Sequence, residues 1–177
     1  MSALSSHKIL LTGLPGCGKT TLIKKAVKSL DIKTFGFYTG EIRESGKRMG
    51  FAIETISEKP IKGILSHINI KSKFRVGKYG VDIESFDKIA LPELETGLAE
   101  NGLIIVDEIG KMELYSNRFK DMLLKIFDSP ASLLATILYK SHPFCDKLKQ
   151  LREVEVIAVN INNRNQLADR LISVFGK

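Results

Sequence analysis

Gly13-Leu14-Pro15-Gly16-Cys17-Gly18-Lys19-Thr20 stands between an apolar pentapeptide, KILLT at 8–12, and a lysine-rich amphipathic stretch, GKTTLIKKAVKSL at 18–30. The octapeptide fits GxxxxGK[ST] in full. Its flanks are those that such a loop requires, a buried strand before it and a helix after it. Glycines let successive backbone N–H groups turn inward around a phosphate with no Cβ in the way. A helix starting near Gly18 adds the positive end of its dipole. Lys19 is then placed to reach β- and γ-phosphates, and the Thr20 hydroxyl to ligate Mg²⁺. The expected nucleotide-binding set is Gly13, Leu14, Pro15, Gly16, Cys17, Gly18, Lys19, Thr20 and Thr21. Cys17 occupies a variable position of the motif, open both to a reactive thiol and to a mere filler.

A second signal lies at 103–108, where the apolar run Leu103-Ile104-Ile105-Val106 ends in Asp107 and Glu108. Ligands of open α/β sheets bind beyond the carboxyl ends of the strands, so an acid there faces the phosphate loop. Asp107 is expected to hold Mg²⁺ directly or through water. Glu108 needs its own explanation. A second carboxylate beside the γ-phosphate can orient or deprotonate an attacking water, which a kinase has little use for. Lys111 and Glu113 follow in EIGKMEL, where a bridge to the site and a local surface ion pair are both open.

Outward from these two stretches, segment 34–56 carries two apolar, β-branched runs about Glu44-Ser45-Gly46-Lys47 and predicts a β-hairpin. Residues 63–68 suggest a strand, and the basic, glycine-containing 71–81 an exposed loop. Asp82 is read as the cap of a short helical turn, with a longer helix from about Phe86 to Glu100. Helices at 117–127, 144–151 and 163–175 alternate with strands at 132–138 and 154–159. That alternation argues for a parallel sheet covered by helices. The expected fold is α/β, with a mainly parallel sheet flanked by helices and a β-hairpin excursion, in one domain over residues 1–177.

Composition restricts the partners. Lys and Arg outnumber Asp and Glu by 27 to 20, a net charge of +7. That suits a polyphosphate, and equally suits solubility. Nucleic acid is compatible but not favoured, because the cations are scattered. The two cysteines, Cys17 and Cys145, form neither a CxxC pair nor a zinc-spaced cluster, as in a reduced cytoplasmic protein. No stretch approaches the roughly 20 apolar residues of a membrane span. The sequence carries no signal for oligomeric state.

The chain resembles the THEP-type, or cancer-related, nucleoside-triphosphatase family. The resemblance is carried by GLPGCGKTTL at 13–22, GFYTGEIRESGKRMGF at 36–51, VGKYGVDIESF at 76–86, VDEIGKMEL at 106–114 and NNR at 162–164. It implies a RecA-like P-loop fold, with the Walker A and Walker B elements at 13–20 and 103–108. It also implies Mg²⁺-dependent hydrolysis of ATP, GTP, CTP, UTP and TTP to diphosphates, with broad base tolerance and weaker action on diphosphates. Arg43, Arg48 and Lys78 lie in the family's specific segments. Each is either a cation beside the γ-phosphate or a plain surface charge. Arg164 lies either beside the nucleobase or in a helix turn without ligand. Two rival functions are a kinase with an acceptor pocket, which Glu108 argues against, and a nucleotide-timed binding module.

Overall fold

In the computed structural model, residues 6–176 are described. Nine strands form one sheet: β1 (Lys8–Thr12), β2 (Thr34–Glu44), β3 (Lys47–Thr55), β4 (Lys62–His67), β5 (Arg75–Val76), β6 (Tyr79–Val81), β7 (Leu103–Ile109), β8 (Ser132–Ile137) and β9 (Val154–Ala158). Five helices cover it: α1 (Lys19–Ser29), α2 (Ile83–Ala99), α3 (Asn117–Phe127), α4 (Pro143–Lys149) and α5 (Arg164–Phe175). The strand order is β5-β6-β4-β3-β2-β7-β8-β1-β9. The five strands from β2 to β9 in that order run parallel. The other four continue the sheet antiparallel from β2. This is the mainly parallel α/β architecture expected. The hairpin is part of the sheet, because β2 pairs with β7 along its first half and with β3 along its second.

The apolar runs are continuous because both sheet faces are covered. Alternation then sorts the side chains. Ile9 and Leu11 of β1, with Leu103 and Ile105 of β7, pack in one cluster with Leu22, Ile23 and Ala26 of α1 and Leu167, Ala168 and Leu171 of α5. Leu10, Ile104 and Val106 point the other way, into a cluster with Phe86, Leu91 and Leu94 of α2 and Phe119 and Leu123 of α3. Phe37, Phe86 and Phe119 meet there as a ring trio with centroids 5.1–6.0 Å apart. No helix among the described residues is long and apolar enough to cross a membrane.

The turn at Ser45-Gly46 has φ of 46° and 77°. This two-residue left-handed connection follows the right-handed twist of its strands. Two expectations are corrected. Segment 71–81 is not an exposed loop throughout. It folds as β5 and β6, and Tyr79, Gly80 and Val81 are buried. Its partner is β4, through Ser66↔Val81 and His67↔Gly80, a non-local pairing invisible to composition. Likewise there is no break between a capped turn and a later helix. The Asp82 carboxylate accepts from Ser85 N at 2.9 Å, and α2 runs unbroken from Ile83. It continues through Pro92, because Phe86, Ala90, Leu91 and Leu94 on both sides of the proline are held by the core.

Gly36 tests the tightest packing in the sheet. Its φ is 115°, and a Cβ there would overlap the Ile105 carbonyl oxygen. Gly36→Ala is expected to destabilise the fold by about 3 kcal/mol, through backbone strain and overpacking at the β2–β7 pair. Denaturant unfolding monitored by circular dichroism measures this, and a shift below about 1 kcal/mol would show that the pair can open without cost.

Candidate functional site

The phosphate loop leaves β1 at the carboxyl end of the parallel sheet. Its tightness comes from the neighbouring β9–α5 segment. Val159 N donates to Thr12 O at 2.7 Å, and a Cβ at Gly13 would lie 2.5 Å from Val159 O. At Gly18, φ is 100°, and a Cβ would stand 3.0 Å from Arg164 Nη1. Arg164 is therefore brought across the loop, as the sequence left open. Gly18 is also the N-cap of α1 and gives no side-chain hydrogen bond to the first turn. The leading N–H groups of that helix thus keep their donors for an anion.

Lys19 lies back over its own loop. Its Nζ donates to Gly13 O at 2.9 Å and Leu14 O at 3.1 Å, and stands 3.9 Å from Cys17 Sγ. Carbonyl partners hold the ammonium without neutralising it, so its charge stays available to a phosphate. Leu14, Pro15 and Gly16 are exposed along the rim, as is Thr21 in the first turn of α1.

Asp107 is 2% exposed at the end of β7. β8 lies between β7 and β1, and its Thr136, paired with Leu11, donates to Asp107 Oδ1 at 2.6 Å. Oδ2 is buried with no hydrogen-bond partner. Burial pushes the Asp107 carboxyl above the usual carboxylate range. Thr136, Thr20, Lys19 and Lys24 pull it back. Thr20, Lys19 and Asp107 thus share one electrostatic neighbourhood. An unpartnered carboxylate oxygen beside a hydroxyl suits a hard cation or its water, and the ammonium beside them suits a phosphate. Glu108 follows, where the β7–β8 register shifts between Val106 and Ile109. Burial raises its carboxyl too. The Asp107 charge adds to the rise and Lys19 opposes it.

Near this centre, Tyr38 went unassigned in the sequence, and Glu113 was left between a bridge to the site and a surface ion pair with Lys111. Tyr38 pairs in register with Asp107 across β2–β7. Burial, and then the Asp107 charge, push its phenol up to about 12, and Lys24 Nζ lies 4.9 Å from its ring centroid. Glu113 is 5% exposed in a 3-10 turn (Glu113–Tyr115) after β7. The surface ion pair with Lys111 does not form, since Lys111 is exposed and Glu113 is not. The signal for both was position within the segments GFYT and EIGKMEL rather than residue type.

Arg43, Arg48 and Lys78 come together with one another. Glu41 Oε2 lies 2.6 Å from Arg43 Nη2, and Glu41 Oε1 accepts from Arg48 Nη1 at 2.8 Å. Arg48 Nε donates to Tyr79 Oη at 3.0 Å, and Lys78 Nζ lies 5.5 Å from the Tyr79 ring centroid. The two guanidinium groups hold the Glu41 carboxyl below its usual range. None of the three cations bonds to the phosphate loop among the described residues.

The comparisons with known proteins agree with this architecture. A family model described as NTPase matches residues 8–172. The chain is 47% identical over 168 residues to nucleoside-triphosphatase THEP1 of Thermotoga maritima, covering 95% of each. It superposes on the crystal structure of THEP1 from the hyperthermophile Aquifex aeolicus with a TM-score of 0.87, at 37% identity over 96% of this chain and 99% of that one. It superposes on the solution structure of a human cancer-related nucleoside triphosphatase with a TM-score of 0.79, at 35% identity over 95% and 96%. A match spanning nearly the whole chain, phosphate loop and acidic strand end included, makes this protein a member of the NTPase family.

Proposed function

We propose that the chain is a single-domain, Mg²⁺-dependent nucleoside triphosphatase that hydrolyses ATP, GTP, CTP, UTP and TTP to diphosphate and phosphate. The observation that carries this reading is the acid pair at the end of β7, with Asp107 buried and Glu108 half-buried. Asp107 has one oxygen fixed by Thr136 and the other unpartnered, and Glu108 is beside it. Breadth toward the base, and weaker action on diphosphates, come from the family resemblance.

In this reading the Gly13–Thr20 loop and the open N-terminus of α1 hold the phosphates. Lys19 moves from the Gly13 and Leu14 carbonyls onto the β- and γ-oxygens. Thr20 and Asp107 fit Mg²⁺, which supplies charge neutralisation on the phosphate oxygens when bound. Glu108 accepts a hydrogen bond from the attacking water and holds it in line with the leaving oxygen. Burial brings its carboxyl nearer the working pH, which improves it as a base. The hairpin cations Arg43 and Arg48 are matched by Glu41, which supports a structural role for them while no nucleotide is bound. Arg164, packed over Gly18, closes the rim of the loop.

Two outcomes follow. A chelator should stop hydrolysis of ATP while leaving the thermal unfolding of the nucleotide-free protein nearly unchanged, because the Asp107–Thr136 bond needs no metal. A large chelator-induced drop in melting temperature would instead reveal a structural metal. Glu108→Gln keeps size but loses charge and most basicity. It should leave nucleotide affinity within a few-fold and reduce single-turnover hydrolysis by about 10²-fold or more, trapping bound triphosphate. Wild-type hydrolysis by that variant would make Glu108 a bystander.

A further inference from the structure

Glu113 is a carboxyl with almost no access to solvent, and no cation pairs with it among the described residues. A buried carboxylate in that position is costly unless it carries its proton. Burial, and then the charge of Glu108, push it up to about 8, while the backbone N–H groups of Glu113 itself and of Gly110 pull it back. Cys145 on α4 also feels Glu108 and Glu113. Burial pushes its thiol up to about 11, so it offers them no charge.

Gly110 shows where the two acids meet. A Cβ built there would lie 2.7 Å from Glu113 Oε2 and 2.8 Å from Glu108 Oε1. Both carboxyls therefore border the space that the side chain of any other residue would fill. Glycine's value here is the missing atom rather than any unusual backbone angle.

We propose that Glu113 is a positioning residue for hydrolysis, whose carboxylic acid O–H donates to the Glu108 carboxylate across the space left by Gly110 and holds it toward the attacking water. Such a charge-assisted bond is short and directional, and a neutral donor leaves Glu108 its negative charge. The inference rests on the reading of Glu108 as the group that aligns water.

Three variants and one double variant test it, with ATP and Mg²⁺ as the probe. Glu113→Gln retains an N–H donor and should turn over within about 3-fold of wild type. Glu113→Met retains volume without a donor. It should lower kcat by about 10-fold or more with KM within about 2-fold, a part of the whole general-base effect. Gly110→Ala, whose Cβ enters between the two carboxyls, should lower kcat in the same way. Adding Glu113→Met to Glu108→Gln should cost nothing further, since the two act as one unit. Loss in the Gln variant as deep as in the Met variant would overturn the proposal, as would wild-type kcat in Glu113→Met or a multiplicative loss in the double variant. If Glu113→Met does not fold, the Gln and Gly110→Ala variants decide. Wild-type turnover by Glu108→Gln alone would instead overturn the reading of Glu108, and is seen separately in that single variant.

Discussion

A carboxylate buried at the end of a parallel strand loses its hydration, and the surroundings of Asp107 are arranged around that cost. Thr136 must come from the strand between β1 and β7, and Lys19 and Thr20 from the first turn beyond β1. The order β7-β8-β1 is what brings these groups to Asp107. Each of these three strands is buried on both faces, so the site stands on a rigid platform with little freedom to shift. Asp107 Oδ2, buried and without a hydrogen-bond partner among the described residues, is the place at this site where the polar account stays open for an ion or its water.

Much of this was legible in the sequence because the relevant constraints are local. A loop that cradles phosphate must be rich in glycine and must join strand to helix, so residues 8–30 declare themselves. Ser45-Gly46 announces a hairpin because a two-residue turn needs positive φ. Asp107 stands out only beside the phosphate loop, because an acid closing an apolar run is otherwise as readily a solvated strand end. The rest depends on partners distant in the chain. β6 is a strand because β4 lies beside it, and basic neighbours disguised Tyr79, Gly80 and Val81 as a loop. Glu113 was open to a bridge to the site or a surface ion pair with Lys111, and only the packing of its turn shows that it is buried. The three hairpin cations were candidates separately, and the fold gathers them about Glu41 and Tyr79.

The same sheet accounts for a division of labour. On the α1 and α5 side, Lys19, Thr20 and Asp107 gather the groups suited to phosphates and a metal ion. At the register shift after Val106, Glu108 sits in a smaller acidic neighbourhood with Gly110 and Glu113. In the proposed reading, the metal-holding and water-aligning carboxylates are adjacent residues of one strand. A phosphotransferase would need the second neighbourhood open to an alcohol or phosphate acceptor. On that reading its half-buried Glu108 and buried Glu113 suit a small, neutral nucleophile.

In the proposed reaction, water is the acceptor and the γ-phosphorus is the atom attacked. The direct measurement is hydrolysis of ATP by the Mg²⁺-supplied protein in ¹⁸O-labelled water, followed by mass analysis of both products. The account predicts one labelled oxygen in each phosphate released in a single turnover, none in the diphosphate, and the same rate with or without added acceptor alcohols. Label in the diphosphate, or phosphoryl transfer that requires an added acceptor, would contradict it.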